Sequence, residues 1–208
     1  MNKYLLIILT LVFISCGGET KQTNNNNNSL ENNVVFKKDN QTKPEEGGYG
    51  FEKIAQNIGF ETYSWDEKVD ENFFGDPKAI KGGTLNYIHS LFPRTLRVIG
   101  QNSSQVINRR TISAMCYEGL LGQHPTSLEF IPSLASHWKI SDDKMTFEFR
   151  INPDARWWDG MPVTSDDVIA TWDLRMDETI LSPFDQLTYG KFERPIAKSK
   201  YIVTVKAK

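Results

Sequence analysis

Ile131-Pro132-Ser133-Leu134-Ala135-Ser136-His137-Trp138-Lys139-Ile140-Ser141-Asp142-Asp143, followed closely by Phe147-Glu148-Phe149-Arg150 and by Trp157-Trp158-Asp159-Gly160-Met161-Pro162-Val163-Thr164-Ser165-Asp166-Asp167-Val168, is the stretch that decides the fold. Trp138-Lys139-Ile140 runs into a polar turn, Ser141-Asp142-Asp143-Lys144. Met145, Phe147, Phe149 and Ile151 then alternate with Thr146, Glu148 and Arg150, the period-two pattern of a strand with one buried face. Together they predict a hairpin. Asn152-Pro153-Asp154 turns the chain, and the Asp159-Gly160 pair marks a second tight turn. Thr164 stands where a helix N-cap is expected, with Asp167 three residues on to reach back to it. Asp166 and Asp167 also suit the positive end of the helix dipole. Val168, Trp172 and Met176 form the apolar stripe of that helix.

Working outward, Tyr201, Val203, Val205 and Ala207 alternate with Ile202, Thr204 and Lys206 as a further strand. Upstream, Val106, Ile107, Ala114, Tyr117 and Leu121 recur at helical spacing, which predicts a helix from about Ser103 to Leu121, closed by Gly119 and Gly122. Cys116 falls among these apolar positions and reads as a small buried core residue. Thr84-Leu85-Asn86-Tyr87-Ile88, after Gly82-Gly83, reads as a strand that Pro93 ends or bends.

The N-terminal quarter has a different character. Met1-Asn2-Lys3 is a short basic start, and Tyr4 to Ile14 is an almost unbroken apolar run, too short to span a bilayer and suited to a signal peptide. Ser15-Cys16-Gly17-Gly18 follows; it resembles a bacterial lipoprotein processing site, with Cys16 as the lipidated residue. Residues 16–50, with Asn24 to Asn28 a homopolymer, read as a disordered tether, because polar low-complexity sequence cannot offset its ordering entropy. Val34-Val35-Phe36 is a brief apolar exception. Aromatic residues return in the segment 51–81 (Phe60, Tyr63, Trp65, Phe73, Phe74), which is expected to pack on the body.

Composition removes several function classes. The 208 residues carry 24 Lys+Arg against 26 Asp+Glu, a formal net charge of −2, without the basic excess of a nucleic-acid binder. Two cysteines cannot make a disulfide scaffold, and three histidines with no Cys/His cluster provide no zinc spacing. No cofactor or metal site is expected. Phosphate-loop, His-Glu-x-x-His and Gly-x-Ser-x-Gly motifs are all missing from the sequence.

The ordered elements resemble the family 5 extracellular solute-binding proteins that serve ABC importers of peptides and nickel. The resemblance is carried by Lys81-Gly82-Gly83-Thr84-Leu85, by Tyr117-Glu118-Gly119-Leu120-Leu121, by the stretch quoted at the outset, and by Trp172. It implies an α/β fold, the N-terminal part of a two-lobed architecture of the periplasmic-binding-protein type II kind, with a small α+β side domain at about 118–208. The second lobe falls outside this sequence. The resulting division is a signal peptide at 1–15, a tether at 16–50, a leading segment at 51–81 and the solute-binding part at 82–208. The resemblance places a peptide-contacting loop near Ser104, Gln105, Val106 and Ile107; ordinary helix-start residues are the alternative reading. It makes Trp157 and Trp158 packing residues and the Asp159-Gly160 pair a turn.

The function implied is capture of an oligopeptide or related solute by a lipid-anchored, monomeric receptor that hands it to ABC permease subunits. No nucleic acid enters that role. The expected location is the periplasm or cell surface. A surface hydrolase built on Asp159 with Asp166 or Glu118 is the enzymatic alternative, but turn and cap roles already account for both aspartates. A chain ending naturally at Lys208 would favour an adhesion or scaffold lipoprotein instead.

Overall fold

The computed structural model describes residues 37–70, 78, 80, 82–84, 86, 88, 91–103 and 107–208. Two antiparallel sheets organise the mixed α/β body. Strands β1 (Leu121–Gln123) and β2 (Phe130–Pro132) form a small ribbon. Strands β3 (Ala135–Ile140), β4 (Thr146–Ile151), β5 (Ile196–Ala197) and β6 (Ile202–Lys206) form a four-stranded sheet in the order β3-β4-β6-β5. Helices α1 (Ser165–Met176) and α2 (Pro183–Tyr189) complete the body.

Register explains why the alternation in β4 is so regular. Phe149 lies opposite Trp138 on one side and Val203 on the other, and Phe147 lies between Ile140 and Val205. One face therefore gathers Phe147, Phe149, Ile151, Val203 and Val205 into the main core, with Val168 of α1 and Tyr189 of α2. The β3–β4 hairpin, the strand at 202–206 and the helix from Ser165 all form as their patterns require. At the start of α1 the Thr164 N–H donates to Asp167 Oδ2 at 2.7 Å, the expected reach-back. The Asp159-Gly160 turn also forms: Asp159 Oδ1 accepts the Met161 N–H at 3.0 Å, and Gly160 has φ +87°, a conformation that suits glycine.

The other face of the sheet is polar, and the N-terminal segment covers it. Phe51, Ala55 and Phe60 pack with Ile202 as a second small core. Arg150, on β4, is only 2% exposed. Its Nε donates to Gly47 O at 2.8 Å, its Nη2 to Gly48 O at 3.0 Å, and its Nη1 to Ser136 Oγ at 2.7 Å. Glu52 lies 3.2 Å from the same guanidinium, and the Phe51 ring lies beneath it at 5.2 Å. Burial pushes the Arg150 pKa down, and the Glu52 charge opposes that shift. Lys139 Nζ adds a bond to Ile58 O at 3.1 Å. Glu61 then joins the outer edge of β3, exchanging both backbone hydrogen bonds with Trp138 at 2.7 and 2.9 Å.

Four expectations are corrected. Residues 37–50 are not slack tether: Pro44–Glu46 form a 3₁₀ turn, and Asp39 accepts from Lys200 Nζ at 2.6 Å and from the Tyr201 hydroxyl at 3.0 Å. Tyr49 is fixed too, its hydroxyl donating to Asp154; desolvation and that carboxylate push its pKa up to about 12. Side chains far along the chain (Lys200, Tyr201 and Asp154) give these polar residues partners that composition does not reveal. The second correction concerns the helix from Ser103 to Leu121. It shrinks to a π-helical stretch, Ile107–Ser113, and one α-turn, Ala114–Cys116. Tyr117 is extended, and Leu121 belongs to β1, where pairing with Pro132 buries it. Third, Cys116 is exposed rather than buried. Fourth, Thr84, Asn86 and Ile88 carry no strand; Leu85 and Tyr87 lie outside the described residues. A strand requires a partner strand, and none pairs with this segment among the described residues.

Candidate functional site

Residues 100–103, just ahead of the segment to which the family resemblance assigns ligand contact, meet the turn after α1 at Gly100. Gly100, at φ +97°, sits where an added Cβ would meet Ile180 O at 3.0 Å. Ser103 Oγ donates back to Gly100 O at 2.6 Å. Asn108 is fully buried, and its Nδ2 ties down two carbonyls, Thr95 O at 2.6 Å and Arg97 O at 2.8 Å. Asn108 Oδ1 has no hydrogen-bond partner among the described residues. The π-helical stretch starts here, an uncommon geometry that recurs at functional sites. Of the four residues read as ligand-contacting, Ile107 is half-buried at the start of that stretch; Ser104, Gln105 and Val106 lie outside the described residues. Asn108 was not singled out from sequence, where an asparagine in a polar run carries no signal.

A second feature is an open groove of about 850 Å³ beside the outer edge of β3, lined among others by Glu61, Tyr63, Glu129, Phe130, Ile140 and Asp142. It continues past Tyr63 along Trp65, Asp66, Glu67 and Ser127. A buried polar cluster holds its wall. His124 is fully buried, and its Nδ1 accepts the N–H groups of Thr126 at 3.2 Å and Ser127 at 3.1 Å. The ring proton therefore sits on Nε2, 2.6 Å from Asp70 Oδ1. Tyr63 stacks on His124 with centroids 5.9 Å apart, and its hydroxyl donates to Asp70 Oδ1 at 3.3 Å. Desolvation pushes the Tyr63 pKa up, and the Asp70 charge adds to that. Trp65 meets Tyr63 edge-on at 4.8 Å. Sequence reasoning missed this groove because its walls come from three separated segments, none with a motif of its own.

The paired tryptophans part company. Trp157 packs against the main core and donates Nε1–H to Asp167 Oδ1 at 3.2 Å, as a structural residue should. Trp158 does not pack: it is 84% exposed, because the tight turn points successive side chains apart. Asp159 and Asp166 are not brought together as a catalytic pair; the first shapes the turn and the second is exposed in the first turn of α1. Cys16 lies outside the described residues.

Residues 129–208 match the family described as "Bacterial extracellular solute-binding proteins, family 5 Middle". This part of the chain is similar to that family. Among curated relatives, the periplasmic murein peptide-binding protein MppA of Escherichia coli is 37% identical over 68 residues, 33% of this chain and 12% of MppA. The periplasmic oligopeptide-binding protein OppA of the same organism is 36% identical over 84 residues, 38% of this chain and 14% of OppA. The peptidoglycan-binding protein YepA of Agrobacterium fabrum is 33% identical over 123 residues, 55% of this chain and 19% of YepA. Among solved structures, Haemophilus influenzae OppA in complex with RPPGFSPFR aligns at 25% identity and a TM-score of 0.38, over 42% of this chain and 20% of that one. The chain thus spans less than a fifth of the length of these curated relatives. The mixed α/β body agrees with the α/β class expected from sequence.

Proposed function

We propose that the protein is the extracytoplasmic solute-binding component of an ABC importer, and that it captures an oligopeptide or related solute for transfer to permease subunits. The observation that carries this reading is the family 5 match over 129–208, the region that also holds the main core. Relatives named for peptide binding favour a peptide as the solute. The work is binding and release. Lobes closing about a hinge exclude water, and main-chain hydrogen bonds hold an extended peptide with little regard to side chain.

Within this reading the described body is a side domain of the first lobe. The exposed apolar run Ile80, Ile88, Leu91, Phe92 and Leu96 is the surface on which the rest of that lobe packs. Such a run is unfavourable in water and favourable once covered. The segment at 104–107 faces the solute. Cys16 carries the lipid, residues between it and 37 form the tether, and the receptor works as a monomer.

The decisive experiment is calorimetric titration of the full-length protein with a small library of oligopeptides. Saturable binding at micromolar or lower Kd is expected for some of them. Absence of heat with peptides, together with saturable binding of a nickel chelate or a sugar, would replace the solute class. Absence of heat with every class would sink the reading. Radiolabelled palmitate incorporation that is lost in Cys16→Ala tests the anchor separately.

A further inference from the structure

We propose that the groove beside β3 is a peptide-docking site of its own, taking an extended basic peptide whose backbone pairs with Ile140. Three observations converge on that occupant. The first is an open edge. Glu61 exchanges both its backbone hydrogen bonds with Trp138, so the backbone groups of Trp138 point away from β4. In an antiparallel strand the direction alternates, so those of Ser136 and Ile140 point the same way. Ser136 O is taken by the Thr62 hydroxyl at 2.8 Å. The Ile140 N–H and C=O have no partner on that edge among the described residues. A strand of another chain would satisfy both.

The second is charge. The groove and its continuation present Glu61, Asp66, Glu67, Glu129 and Asp142 against one cation, Lys144. Glu61, Glu129 and Asp142 form no ion pair among the described residues, so their field is directed at whatever enters the groove. Complementarity selects lysine and arginine side chains and repels acidic peptides. The third is a rigid aromatic wall. Tyr63 is fixed by His124 and Asp70, and half-exposed Trp65 stands against it. An ammonium or guanidinium group can lie over such rings. The groove is open along its length, which suits an extended segment lying on a surface rather than a solute enclosed between lobes. The site lies on the side domain and does not rest on where the transported solute binds.

The test uses the full-length protein and the probe acetyl-Lys-Val-Lys-Val-Lys-Val-amide, followed by amide hydrogen exchange over residues 136–144. The probe is expected to slow exchange at Ile140. Acetyl-Glu-Val-Glu-Val-Glu-Val-amide should leave it unchanged. A probe with alternate backbone nitrogens methylated keeps its charge but cannot pair with the edge, and should give no protection. The exposed double variant Glu129→Gln, Asp142→Asn should weaken the probe roughly threefold to tenfold, the range expected for losing two opposite-charge neighbours. Protection by the methylated or the acidic probe would overturn the proposal. So would binding of the lysine probe without any change at 139–141, which would place that peptide elsewhere on the protein.

Discussion

The sheet of 135–206 and the run of 80–96 are both written in apolar residues, yet they end in opposite environments. Phe147, Phe149, Val203 and Val205 have no accessible surface, whereas Phe92 is 98% exposed. The difference lies in the partners each finds. Strand β4 sits between β3 and β6, so each of its large side chains meets a neighbour on both sides. The described residues of the 80–96 run pair with no described strand and are irregular. An apolar pattern is thus an instruction to pair, and it becomes structure only where the pairing segment is supplied.

The sharpest way to break this comparison is to truncate one ring in each region. Phe149→Ala should cost this chain about 3–5 kcal/mol, the range for deleting a buried ring, while Phe92→Ala should change its stability by less than about 0.5 kcal/mol. Urea titration followed by tryptophan fluorescence measures both, and similar losses would refute the contrast. Next in size is Arg150→Ala, which strands the carbonyls of Gly47 and Gly48 and releases the N-terminal segment. A loss of about 2–4 kcal/mol is expected, with faster tryptic cleavage at Lys53. Unchanged cleavage would mean the segment is held by its apolar contacts alone.

Asp39 gives a smaller and pH-dependent effect. The Lys200 hydrogen bond holds its carboxyl well below the usual carboxylate range, with Thr42 and Tyr201 assisting and desolvation opposing. A depressed folded pKa means stability that is complete above the unfolded value, near 3.8, and lost as pH falls through the folded one. Asp39→Asn should therefore cost about 1 kcal/mol at neutral pH. The gap from the unmodified chain should narrow below about pH 4, as the unfolded chain takes up a proton there while the native carboxylate stays charged. A gap that stays constant down to strongly acidic pH would assign the effect to shape rather than charge. Smallest of all, Trp158→Ser should shift stability by less than about 0.5 kcal/mol, since its ring lies in water. A loss of several kcal/mol would restore the packing role expected from sequence.

Legibility in the sequence follows the range of the interactions. The hairpin, the capped helix and the strand at 202–206 were readable because alternation, turn residues and a cap each act within a few positions. The seating of residues 37–50 was not, because it depends on Arg150 and Lys200, more than a hundred residues away. The helix expected over 103–121 was overcalled for the same reason: Leu121 fits a helical stripe locally, but pairing with Pro132 takes it into β1. The contact residues Ser104 to Ile107 came from family resemblance alone, and only Ile107 among them is described. His124, Asp70 and Tyr63 form a cluster from two segments, and nothing in their spacing announces it.

The strap over the polar face has a mechanical consequence. A pull on the chain ahead of residue 37 reaches the Asp39 contacts with Lys200 and Tyr201 first. It reaches the Gly47 and Gly48 carbonyls on Arg150 next, and the Phe51 ring after them. Each is a separate fastening that yields before load passes to the edge of β3 at Glu61. The body is therefore fitted with a shock absorber of about two dozen residues, in which tension is spent peeling surface contacts in sequence while the sheet behind them keeps its register.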